Sequence, residues 1–123
     1  MIDRATIGRD AYLCTGREFA QVRDEGQKVV GRYMVLGYLP APDQRPRLGF
    51  IVSRKYDRRA VQRNRARRLL RESYRLLRSQ ISRDLWFVAI ARHGLHDRSQ
   101  PEVQAELSRL LRRLDALTPD AAS

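Results

Sequence analysis

Arg47-Leu-Gly-Phe-Ile-Val-Ser-Arg-Lys55, followed by Arg59-Ala-Val-Gln-Arg-Asn-Arg-Ala-Arg-Arg-Leu-Leu-Arg-Glu-Ser-Tyr-Arg75, holds the turning point of the chain. Its first part, Leu48–Ser53, is a short apolar run with β-branched and aromatic residues, which reads as a strand. In the second part the period changes. Ala66, Leu70, Tyr74, Leu77 and Ile81 recur at intervals of four, four, three and four, a single apolar stripe on a helix of about Ala60–Ile81. A strand feeding a long amphipathic helix points to a fold in which helices pack on a sheet.

Upstream, Tyr33–Leu39 is nearly all apolar and suits a central strand. The cluster Pro40-Ala-Pro-Asp-Gln-Arg-Pro46 cannot continue a ladder, so the strands on either side most simply form an antiparallel hairpin. Val29-Val30-Gly31 suits a brief edge strand. Thr15-Gly-Arg-Glu18 matches a capping box and opens a short helix over 16–25, with Gly26 as its stop. Residues 1–14 show no period and read as a flexible arm. Downstream, Leu85–Ala91 is a third strong strand. Ser99-Gln-Pro-Glu102 is a second capping box, and Val103, Leu107, Leu110, Leu111, Leu114 and Leu117 line a last helix that Pro119 ends. Residues 119–123 are a tail. The predicted order is α-β-β-β-α-β-α: one α+β sandwich with a small sheet over residues 15–118, as suits a chain of 123 residues.

The charge is concentrated in that same stretch. The chain has 25 basic and 14 acidic residues, a net charge of +11, and 23 of the 25 are arginines. Between Arg54 and Arg78 stand eleven basic residues and two acids, Asp57 and Glu72, so this window holds +9 of the +11. Arg63, Arg67, Arg71 and Arg75 fall on one helical line, and Arg65, Arg68 and Arg75 on a neighbouring one. A solvated helix face normally mixes signs, and like charges at this spacing destabilise an isolated helix. A polyanion lying along the helix reverses that cost, so the pattern predicts an RNA-binding domain. Asn64, between two arginines, reads equally as a surface polar residue or as a hydrogen-bonding partner of RNA.

The Arg47–Lys55 and Arg59–Arg75 segments resemble the signature of the bacterial ribonuclease P protein component. Its centre stands here as Arg63-Asn64-Arg65, Arg67-Arg68 and Arg71-Glu72. The resemblance runs on through Val88-Ala-Ile-Ala-Arg92 and the leucine-rich last helix. It implies the protein subunit of a ribonucleoprotein endoribonuclease that removes the 5′ leader of precursor tRNA, with one protein expected per catalytic RNA. It also implies an unusual left-handed β-α-β crossover around the basic helix. It implies further that the RNA subunit carries the Mg2+-dependent chemistry, and the protein alone is expected to be non-catalytic, with no metal or cofactor of its own.

Two surfaces follow from the resemblance. Arg54, Arg58, Arg59, Arg63, Asn64, Arg65, Arg67, Arg68, Arg71 and Arg75 would dock the RNA subunit. Phe19, Val35, Ile51, Ser53, Lys55 and Asn64 would hold the leader in a cleft between the first helix and the open sheet face. Val35, Gly37, Ile51 and Ser53 can share one sheet face by the two-residue period. An aromatic platform with flanking charge suits unpaired RNA, although Phe19 reads equally as a helix-to-sheet core contact. Arg23 and Gly37 stand where the family often has aromatics, which implies weaker stacking and more electrostatic attraction.

Other classes fit poorly. The longest apolar run, Leu85–Ala91, is too short for a transmembrane helix, and the first ten residues have no signal-like apolar core. Cys14 is the sole cysteine, which excludes an internal disulfide and suits a reducing, cytoplasmic setting. It reads as an inert small residue. His93-Gly-Leu-His96 with Asp84 and Asp97 lacks a fixed ligand geometry, so these histidines read as exposed or loop-capping. A ribosomal-type structural RNA binder would share the charge but not the Arg-Asn-Arg signature. A duplex-DNA reader would need a tight helix-turn-helix that the strands interrupt.

Overall fold

A computed structural model describes residues 12, 13 and 15–117. In chain order the elements are α1 (Gly16–Glu25), β1 (Gln27–Val30), β2 (Met34–Pro40), β3 (Arg47–Ile51), α2 (Ala60–Leu77), β4 (Leu85–Ala91) and α3 (Gln100–Arg113). Short 3₁₀ turns cover Arg78–Gln80 and His93–Leu95. The order is the predicted α-β-β-β-α-β-α. Both predicted capping boxes form: Thr15 with Glu18, and Ser99 with Glu102.

The sheet order is β1-β2-β4-β3. This corrects the expected hairpin between the second and third strands, since β4 lies between them. β4 is antiparallel to β2 and parallel to β3, with α2 as the crossover from β3. The first five residues of β4 are all buried, so both its faces need cover. A central place meets that need, and an edge would not. The tight hairpin is instead β1–β2, antiparallel and turned at Gly31–Tyr33.

The two sheet faces differ. Met34, Leu36, Leu48, Phe87 and Ala89 join Leu70, Tyr74, Leu107 and Leu110 in the main core beneath α2 and α3. The opposite face carries a smaller cluster of Leu13, Val22, Leu39, Trp86 and Val88 under α1. One short helix cannot cover four strands, so part of this face stays open.

Several boundaries move for physical reasons. The basic helix stops at Leu77 rather than Ile81, because Ile81 makes an antiparallel bridge with Leu117. The last helix stops at Arg113 rather than near Pro119, where Asp115 adopts a left-handed φ of 54° that ends the α geometry. Gly26 does stop α1, but in an extended conformation; a side chain there would place Cβ 2.3 Å from the Tyr38 carbonyl oxygen. Within the expected arm, Tyr12 bridges Leu48, and the Leu13 amide donates to the Leu48 carbonyl at 3.1 Å. Residues 1–11, Cys14 and the 119–123 tail lie outside the described residues.

Glu106, a residue the sequence analysis did not single out, fastens the hairpin to α3. It is 3% exposed and accepts the main-chain N–H groups of Arg32, Tyr33 and Met34 at 2.7, 2.7 and 3.1 Å. Arg109 pairs with the same carboxylate at 3.0 Å.

Candidate nucleic-acid interface

Cross-strand register builds the open face. Val30, Val35, Ile90 and Ile51 are successive partners across all four strands, a row of β-branched side chains. The next row is Lys28, Gly37, Val88 and Gly49. α1 lies over this second row. The Phe19 ring sits on Gly49, where an added Cβ would come within 2.5 Å of it. At Gly37 a Cβ would meet only ordinary contacts, the nearest being Val22 Cγ1 at 3.5 Å.

The result is a groove of about 440 Å³ with Val35, Gly37, Val88, Ile90 and Ile51 in its floor and Phe19, Ala20 and Val22 from α1 along its side. Lys28 and Arg23 add positive charge to its lining. Arg23 is exposed and pairs with Asp24 at 2.9 Å. Three of the expected leader residues, Phe19, Val35 and Ile51, therefore meet in one groove. Ser53, Lys55 and Asn64 do not line it; they follow Ile51, on the β3–α2 connection and α2. Val30 and Ile90 complete the apolar row and were missed, because only the β2-β4-β3 order makes Ile90 a partner of both Val35 and Ile51.

Phe19 is half-buried and packs against the smaller core cluster as well as lining the groove. The core-contact reading of this residue holds: the ring edge rests on Gly49 and on the smaller cluster, and the ring also forms part of the groove wall.

The basic surface divides into two kinds of arginine. Arg63 donates from Nη1 to the Asp57 and Arg58 carbonyls at 3.1 and 2.8 Å. Arg67 donates to the Val52 carbonyl at 3.3 Å and to Asn64 Oδ1 at 3.0 Å. Arg65 reaches the Arg98 carbonyl at 3.0 Å, and Arg75 pairs with Glu72. These four are half-buried. Arg68 and Arg71 are exposed, with Arg71 lying 5.8 Å over the Phe50 ring. The two arginine lines thus include side chains that turn back onto the protein.

Between β3 and α2, Arg54, Lys55, Asp57 and Arg58 line a second, polar concavity of about 750 Å³. Arg54, Lys55 and Arg58 are exposed. Asp57 is occupied: it accepts the Arg59 amide at 2.8 Å, pairs with the Arg59 guanidinium at 2.9 Å and faces His96 Nε2 at 3.1 Å. The Arg59 hydrogen bonds hold its carboxyl well below the usual carboxylate range. His96 also stacks on Tyr56, with ring centroids 4.0 Å apart, and its Nδ1 lies 2.9 Å from the His93 carbonyl oxygen. It therefore props this loop. Among the described residues no group of three or more His, Cys, Asp or Glu side chains could hold a metal ion, and no helix is long and apolar enough to cross a membrane.

Comparison with known proteins gives the family and the fold. The sequence profile of the Ribonuclease P family matches residues 7–115. The Ribonuclease P protein component of Pseudomonas aeruginosa strain PAO1 is 39% identical over 108 residues, covering 86% of this chain and 78% of that protein. That of Azotobacter vinelandii is 36% identical over 118 residues, covering 94% and 89%. Among solved structures, the RNase P protein from Thermotoga maritima superposes with a TM-score of 0.74 at 28% identity, covering 83% of this chain and 96% of that one. The Staphylococcus aureus RNase P protein gives 0.77 at 25% identity, covering 88% and 98%.

Proposed function

The chain belongs to the ribonuclease P protein family, whose work is tRNA processing, and we propose that it is the protein subunit that docks the catalytic RNA and holds the 5′ leader of precursor tRNA. The observation that carries this reading is the pairing of two unlike surfaces. One is an apolar groove with an aromatic wall and positive flanks. The other is an exposed basic face on α2 and on the loop before it.

The groove suits unpaired RNA. A base can stack on the Phe19 ring, sugars and bases can lie on Val35, Ile90 and Ile51, and Lys28 and Arg23 attract the phosphates. None of the floor side chains carries a hydrogen-bonding group, so the floor cannot read base edges. That fits a role on leaders of many sequences. Lys55 and its neighbours extend the positive field beyond Ile51. Arg54, Arg58, Arg68 and Arg71 face outward to the phosphates of the RNA subunit.

Cleavage itself belongs to the RNA subunit and its Mg2+. The described residues bring together no metal-ligand cluster, and no acid–base pair converges on the groove. The purified chain, free of RNA, is expected to leave precursor tRNA intact. Added to a bacterial ribonuclease P RNA at low magnesium, it is expected to restore removal of the 5′ leader. Site-specific cleavage by the RNA-free chain would overturn the division of labour, and no stimulation of the RNA would overturn the function.

The groove is tested from its floor. Gly37→Leu projects into it from a different strand than Gly49, the seat of Phe19, and its Cβ meets only ordinary contacts. It is expected to weaken precursor binding by the complex about fivefold to twentyfold, the lower part of the range for one stacked base, with mature tRNA binding unchanged. Phe19→Ala should weaken precursor binding similarly but also lower the melting temperature, because the ring packs on Gly49 and the smaller core cluster. Equal losses for precursor and mature tRNA in Gly37→Leu would place the leader elsewhere.

A further inference from the structure

We infer that Arg63 and Arg67 are positioning residues, which shape the β3–α2 loop so that Arg54, Lys55 and Arg58 meet RNA as one fixed set of charges. The inference rests on the proposed RNA-binding function and changes which arginines touch the RNA.

The loop between Ile51 and Ala60 lacks the ladder of a strand or helix, so its carbonyls need other donors. Two arginines one helical turn apart provide them. Arg63 Nη1 gathers the Asp57 and Arg58 carbonyls at the loop's end. Arg67 Nη2 holds the Val52 carbonyl at its beginning, and Arg67 Nη1 bonds the Asn64 side chain. The loop is thus gripped at both ends from a single line of α2. Its middle is pinned separately, by buried Tyr56 under His96 and by the Tyr56 amide on the Ser53 carbonyl at 3.0 Å. With main chain and Tyr56 held inward, the side chains of Arg54, Lys55 and Arg58 project outward around the concavity.

A guanidinium suits this task better than an ammonium, because its rigid fork presents several donors in fixed directions. Without the clamp the loop gains backbone freedom, which binding must remove again. Three cations are then presented less well, although only one charge has been removed.

The test is a double-mutant cycle on affinity for a bacterial ribonuclease P RNA, measured across salt concentration, with hydrogen exchange on the free protein as a second readout. Arg63→Met is expected to weaken binding at least tenfold. It should lower the slope of log affinity against log salt by more than the roughly 0.7–0.9 that one phosphate contact contributes. In the Lys55→Met, Arg58→Met background the same change should cost less than twofold. Without RNA, the amides of Tyr56 and Arg59 should exchange at least tenfold faster in Arg63→Met, with the melting temperature within a few degrees of the parent. Arg67→Met, which frees the other end, should show the same pattern. Independent losses in the cycle with a slope change of a single contact, unchanged loop exchange, or global unfolding of the variants would each overturn the inference. If the parent chain does not bind the RNA, the proposed function fails, while the exchange experiment still decides whether the clamp exists.

Discussion

Glu106→Ala is expected to lower the unfolding free energy by ~3–5 kcal/mol, the range for breaking a buried, fully bonded charged group. For a domain of this size that corresponds to a fall in melting temperature of roughly 10–20 °C. The reason lies in what remains behind. The carboxylate is 3% exposed and accepts three main-chain N–H groups in succession, from Arg32, Tyr33 and Met34. Alanine removes all of those acceptors, and Gly31 leaves no side chain to close the gap: a Cβ there would lie within 2.8 Å of the Glu106 carboxyl. Arg109 loses its partner too, but it is largely exposed and contributes little. Glu106→Gln keeps one acceptor oxygen and the shape of the side chain, so it should recover part of the loss. Thermal or denaturant unfolding followed by Trp86 fluorescence measures both. A loss below about 1 kcal/mol in Glu106→Ala, within the range of an ordinary surface change, would show that water replaces the carboxylate at the turn.

Glu106 also shows where the sequence stops being legible. It stands one position before Leu107 in a helix whose apolar stripe is clear, and it looks like one more charged surface residue. Its partners are more than seventy residues away and are backbone amides, which have no sequence signature. Local signals proved readable: both capping boxes, the stripe on α2 and the limits of β4 depend on spacing within a few residues. Strand order did not, because a hairpin between β2 and β3 and a sheet with β4 between them use the same two apolar runs. That pairing decision carried over to the groove. With β2 paired directly to β3, Val35 and Ile51 could be put on a common face but Ile90, which joins them, could not. Gly49 is the seat of Phe19, a close approach that its place in an apolar run does not announce. The arginines were legible as charge and illegible as geometry, because residue type does not tell whether a guanidinium ends on a phosphate or on a carbonyl of its own chain.

That distinction sets the second large effect, in the double variant Arg68→Ala, Arg71→Ala. Both side chains are exposed on α2. The structure gives Arg68 no hydrogen bond or ion pair among the described residues, and Arg71 only its place over the half-buried Phe50 ring. Neither supports the loop or α3, so their removal should leave the melting temperature nearly unchanged. If each makes a charge-assisted contact to phosphate, each loss costs about 1–3 kcal/mol. The pair together should weaken binding to the catalytic RNA by roughly 30-fold to 10⁴-fold. The slope of log affinity against log salt should fall by about 1.4–1.8, the share of two phosphate contacts. Arg65→Ala is the informative comparison. Its guanidinium is half-buried and donates to the Arg98 carbonyl, so it should destabilise the α2–α3 contact measurably while changing the salt slope less than either exposed arginine. An unchanged slope in the Arg68, Arg71 double variant would move the RNA off this face of α2 and onto the loop and groove alone.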